Sequence, residues 1–128
     1  MEPVISPQEF YYLYSPVSSD AAHLFKYTLL GLCFDGHARA YYREIYITKN
    51  ARYKRPRIFV KRGPAYKPEN KYTSSEKFVL SLLSETEMRL YELRNEALLR
   101  LDGDIRNFKY EFVFKYVNAR GLCFRNGY

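Results

Sequence analysis

The sequence predicts an α+β fold: a small helical body carrying one projecting basic β-hairpin, with a mainly helical second half. Three observations predict it. Apolar residues recur at helical spacing over 21–35 and 74–101, each run preceded by residues that cap helices. Between them the composition changes to Tyr, Ile, Val and Arg over 38–61, the mark of strands. The excess charge is also local. From Lys49 to Lys71 there are nine Lys or Arg against one acid, Glu69, whereas the rest of the chain has 12 basic and 13 acidic residues. The formal charge of +7 therefore comes from one segment, which points to a local field for an anionic partner.

The elements follow in order. Ser6-Pro7-Gln8-Glu9 has the spacing of a capping box with Pro at the first helical position, opening a short helix over Pro7 to Tyr14. Ser18, Ser19 or Asp20 then caps a second helix, whose stripe is Phe25, Leu29, Leu32 and Cys33 and whose stop is Gly36. Ala38 to Thr48 reads as a strand with Tyr41, Arg43, Ile45 and Ile47 on one face. Arg57 to Lys61 reads as a second strand, closed by Gly63-Pro64. The polar connection Lys49 to Pro56 makes the pair a long-tipped hairpin. Two prolines and no periodicity make Pro64 to Lys71 an irregular linker.

Ser74 or Ser75 caps a helix carrying Phe78, Val79, Leu82 and Leu83. Ser84-Glu85-Thr86-Glu87 has capping-box spacing and opens a helix to about Leu101, with Leu90, Leu93, Ala97, Leu98 and Leu101 as its stripe. Asp102-Gly103-Asp104 is a turn, and Asp104 can cap the last element. In that element Phe108, Tyr110, Phe112, Phe114 and Tyr116 alternate as in a strand, yet Ile105, Phe108, Phe112, Val113 and Tyr116 also fit a helix. An internal echo favours the helix. Residues 25–36 read FKY-TLL-GLCF-D-G and residues 114–127 read FKY-VNAR-GLCF-RN-G, with eight identities in order. Two readings stand: coincidence in an aromatic-rich chain, or duplication of a helix-plus-turn unit, which is favoured and would also place Cys33 and Cys123 at equivalent positions. The units so defined are residues 1–63, a linker at 64–72, and residues 73–128, sharing one core.

Composition narrows the function. Neither a basic start nor an apolar run suggests a signal peptide, the longest mainly apolar stretch is too short to span a bilayer, and two cysteines read as reduced thiols; the expectation is a cytoplasmic protein without a membrane partner. Cys33, Asp35, His37 and His23 are ligand types near one another, but no CxxC or HxxxH spacing accompanies them, so no metal is expected. No base neighbours either cysteine in sequence and no glycine loop cradles phosphate, so neither an enzyme nor a cofactor is expected.

A helical unit followed by a two-stranded basic hairpin resembles the winged-helix architecture over about residues 5–63, with two helices before the hairpin where three are usual. The resemblance implies a hairpin that touches nucleic-acid backbone. Lys and Arg neutralise phosphates while interleaved aromatics stack on bases. The expected nucleic-acid contacts are Lys54, Arg55, Arg57, Lys61 and Arg62, with Lys49 and Arg52 at the tip and Tyr53 stacking. Such a module is non-catalytic and has weak sequence preference. The alternative is a protein-interaction or scaffolding domain of a longer polypeptide, whose partner is an acidic protein surface.

Overall fold

The structure, a computed structural model, describes residues 7–14 and 20–119. They form a mixed α+β fold, about half helical, with a three-stranded antiparallel sheet. The Ser6 box, Cys123 and most of residues 114–127, expected as a second copy of 25–36, lie outside the described residues.

Helix α1 (Pro7–Tyr14) packs on α2 (Ala21–Phe34). Tyr11 meets Tyr27 edge-on with ring centroids 5.2 Å apart, and its hydroxyl accepts from the Asp20 amide at 3.1 Å. Asp20 is the cap of α2, its carboxylate accepting from the Ala22 amide at 2.7 Å. The helix buries Ala21, Leu24, Thr28, Leu29 and Leu32; Phe25 and Cys33, expected on that stripe, are only partly buried. The Thr28 hydroxyl is satisfied locally by donating to the Leu24 carbonyl at 2.8 Å.

Strands β1 (Ala38–Ile45) and β2 (Arg55–Arg62) pair in register from Ala38 opposite Arg62 to Ile45 opposite Arg55. Both differ from the expected bounds: β1 ends three residues before Thr48, and β2 extends one or two residues beyond Arg57 and Lys61 at its ends. The linker has no helix or strand, yet it is held in place. Ala65 donates to the Gly36 carbonyl at 3.0 Å, Tyr66 stacks on Tyr72 at 6.0 Å, and His37 Nδ1 lies 3.1 Å from both the Ala65 carbonyl and the Tyr72 hydroxyl.

Helix α3 (Ser74–Leu82) is capped by Thr73, not by Ser74 or Ser75. Thr73 and Glu76 complete a reciprocal capping box, whereas the Ser75 hydroxyl, 1% exposed, accepts from the Gln8 side chain at 3.0 Å. A larger correction follows. Ser84-Glu85-Thr86-Glu87 does not open a helix: the chain bends at Glu85 and Thr86, and Met88–Arg89 forms β3 against Val60 and Phe59. The Ser84 carbonyl takes the Arg62 amide at 2.9 Å. Sheet pairing satisfies the outer edge of β2 there, which a helix over these residues would leave open. Helix α4 (Leu90–Arg100) starts only after Arg89, without a side-chain cap.

The last element is helical, in three parts: α5 (Arg106–Phe108), a π-helical segment (Lys109–Phe114) and α6 (Lys115–Ala119). The π segment has a packing reason. Phe108, Val113 and Val117 are all buried, at spacings of five and then four, so one wider turn keeps all three on the core side. Asp104 accepts from the Arg106 amide at 2.9 Å at the start of this run, and Phe108 packs among Phe25, Phe78 and Phe112. Leu24, Leu32, Val60, Val79, Leu93, Phe108 and Val117 belong to one buried cluster, so the hairpin and both helical halves share a core.

Candidate nucleic-acid interface

Alternation along the strands and pairing across them fix which residues share a face. Ala38, Ala40, Tyr42, Ile58, Val60 and Met88 lie on one face, with Ala38 and Val60 buried against the helices. The opposite face carries Arg39, Arg43, Arg55, Arg57 and Lys61 from the hairpin, and Arg89 from β3. At its centre are Tyr41 and Phe59, directly paired and stacked with centroids 6.2 Å apart.

The cations are organised around those two rings. The Arg43 guanidinium lies 4.3 Å from the Phe59 centroid, while Arg39 and Lys61 stand 5.8 and 5.9 Å from Tyr41. A cation over an aromatic face is attracted by its quadrupole. Glu87 is the carboxylate that reaches this group: it pairs with Arg43 and accepts the Tyr41 hydroxyl. That hydrogen bond to a carboxylate raises the Tyr41 pKa above its ordinary value, keeping the phenol a neutral donor at physiological pH.

Of the residues expected at the interface, the structure brings Arg55, Arg57 and Lys61 together on this face. Lys49, Arg52, Tyr53 and Lys54 lie instead in the exposed tip, residues 46–54; Tyr53 is 73% exposed and Lys54 stands 5.5 Å from the Tyr46 ring. Arg62 falls on the other side of the sheet. Its guanidinium covers Tyr66 at 4.7 Å and reaches the Leu80 carbonyl at 3.5 Å, so it anchors the hairpin base to α3. Arg89 escaped sequence reasoning because its segment reads as helix. Arg39 and Arg43 lie outside the dense basic run, and strand alternation in phase with Lys61 and Arg57 is the signal that finds them.

Two concavities border the face. One, of about 650 Å³ at the hairpin base, is lined in part by Arg39, Lys61, Arg62 and Glu85. The other, of about 610 Å³, lies between the outer part of β2 and the start of α4. Burial pushes the Cys33 thiol above its ordinary pKa, which disfavours the thiolate a nucleophile needs. Among the described residues no three His, Cys, Asp or Glu side chains are grouped to hold a metal, and no helix is long and apolar enough to cross a membrane. No protein family, curated protein or solved structure matches the chain.

Proposed function

We propose that the protein is a non-catalytic binding module that contacts nucleic-acid phosphates through the basic face of its sheet, with the hairpin in the role of a winged-helix wing. One observation carries the reading: six cations from three strands share a face with two neighbouring carboxylates, Glu87 on Arg43 and Glu85 at the hairpin base. Strands hold side chains of one face at roughly 5 Å across the sheet and 7 Å along it, so the cations form an array rather than a flexible tail. Phosphate contacts of this kind position a nucleic acid without reading its bases.

Setting Arg43 aside with Glu87, five cations remain. If all engage a duplex, the slope of log affinity against log salt approaches about −4.5, at about 0.9 per phosphate neutralised. The test is binding of generic duplex DNA or RNA at several salt concentrations, with an Arg39/Arg55/Lys61→Glu variant alongside. Wild type binds at low salt with a steep slope, and the variant loses at least tenfold in affinity. Absence of wild-type binding at low salt, or full affinity in the charge-reversed variant, refutes the reading. Capture of an acidic protein under the same conditions favours the scaffolding alternative.

A further inference from the structure

We infer that the cleft between β2 and α4 takes an unpaired base, so that the preferred ligand is single-stranded nucleic acid; this rests on the phosphate-binding reading above. The cleft measures about 610 Å³, within the range of roughly 300–1,000 Å³ typical of ligand sites. Its apolar lining is Tyr42, Pro56 and Ile58 from the hairpin with Leu90 and Tyr91 from the first turn of α4. Tyr42 is 75% exposed and Tyr91 54%, an unusual surface for two large rings beside one cleft. A base is a flat apolar partner for such rings, and stacking on aromatic side chains is how single strands are held without sequence specificity.

The charge around the cleft agrees. Arg57, Arg89 and Arg94 complete the lining, and among the described residues no acidic side chain contributes to it. Arg57 and Arg89 also belong to the basic face, so the cleft continues the phosphate array instead of forming a separate site. Arg89 stands 5.7 Å from the Tyr91 ring, adding a cation–π contact at the rim. A backbone feature adds to this. Strand β3 pairs only with Phe59 and Val60, so among the described residues no strand covers the outer edge of β2 over 55–58. On that edge the Pro56 carbonyl accepts from the Arg57 guanidinium at 2.8 Å, which holds this cation at the rim of the cleft. In a duplex the bases are paired and stacked on one another, so only an unpaired nucleotide can use the cleft.

The test compares a short oligothymidylate with a duplex of equal length, in wild type and in Tyr42→Ala/Tyr91→Ala and Tyr42→Phe/Tyr91→Phe variants, each checked for folding by thermal melting. Both rings are exposed, so truncation leaves the core intact. Wild type prefers the single strand; the double Ala variant loses roughly tenfold on the single strand while keeping its duplex affinity and salt slope, and the double Phe variant behaves as wild type. If the Ala variant keeps its single-strand affinity while Arg39/Arg55/Lys61→Glu abolishes binding, the cleft proposal falls and the phosphate reading stands. If wild type binds neither oligonucleotide, both fall. Binding of an acidic peptide that depends on Tyr42 and Tyr91, without oligothymidylate binding, assigns the cleft to a protein partner and overturns the proposal.

Discussion

Replacing Gly63 with Ala tests how rigidly the basic sheet is fixed to the helical body. A Cβ at Gly63 would stand 2.2 Å from the Gly36 carbonyl oxygen and 2.9 Å from the Ala38 nitrogen. Ordinary carbon–oxygen contacts are about 3.3–3.6 Å, so the two chain segments must separate by about 1 Å. Both neighbours are backbone and cannot swing aside. The separation strains two hydrogen bonds that close the hairpin base, Gly63 amide to His37 carbonyl at 2.9 Å and Ala65 amide to Gly36 carbonyl at 3.0 Å. Each is worth about 1 kcal/mol net, and overpacking adds about 1–3 kcal/mol, giving an expected cost of about 3–5 kcal/mol. Gly103→Ala is the matched control. Gly103 has φ +79 and nothing within 4 Å, so its substitution meets only the left-handed backbone penalty of about 1–2 kcal/mol. Urea denaturation of the two variants, read at equal slope, gives both values. A Gly63→Ala cost no larger than that of Gly103→Ala would refute the close approach and the rigid base derived from it.

Glu87→Gln removes the carboxylate that neutralises Arg43 and holds the Tyr41 hydroxyl. Its expected effect is tighter phosphate binding, with a salt slope steeper by about 0.9 as one more cation becomes available; unchanged affinity and slope would show that Arg43 takes no part. Asp104 gives a pH prediction. The Arg106 guanidinium, 2.8 Å from Asp104, together with the Arg106 amide, lowers the carboxyl pKa below its ordinary value. A carboxylate whose folded pKa is depressed stabilises the fold fully above its unfolded value and loses that contribution as pH falls through the folded one. Stability should therefore fall below about pH 4, and Asp104→Asn should make that fall shallower when melting temperature is followed against pH.

The hairpin was legible because its strands carry Tyr, Ile and Val while the residues between them are polar, and α1 was legible from Pro7 to its last residue. The third strand was not. Two residues, Met88 and Arg89, are too few for any periodicity, and Ser84-Glu85-Thr86-Glu87 has the same residue types as a capping box. Only the unpaired edge of β2, a tertiary circumstance, decides between the two. The cap of α3 was misread for a different reason. Thr73, Ser74 and Ser75 are three consecutive hydroxyls, and Glu76 decides between them, because only Thr73 has it three residues on to complete a capping box, a signal the sequence did carry. In the last element the aromatic residues fit two periods, and the π turn that buries Phe108 with both Val113 and Val117 belongs to neither ideal pattern.

The charge run and the charged face are different sets, and the reason lies in the pair Phe59-Val60. Both are apolar and both are buried, at 5% and 0% exposure, so sequence alone does not say which faces the helices. Had Phe59 faced inward, the alternation of β2 would turn Arg55, Arg57 and Lys61 toward the core, where unpaired charges are costly. Val60 takes the inward position, and Phe59 is instead buried on the outer face, beneath Arg43 and beside Tyr41. An aromatic ring needs cover to be buried on a solvent face, and here the cover is cationic. The same contacts that shield Phe59 therefore fix where the guanidinium of Arg43 stands, and the paired strands bring Arg39 and Lys61 beside Tyr41. Aromatic packing rather than charge density sets the geometry of the array, so Phe59→Leu should loosen the Tyr41 ring that Arg39 and Lys61 flank and lower measured duplex affinity with the net charge unchanged.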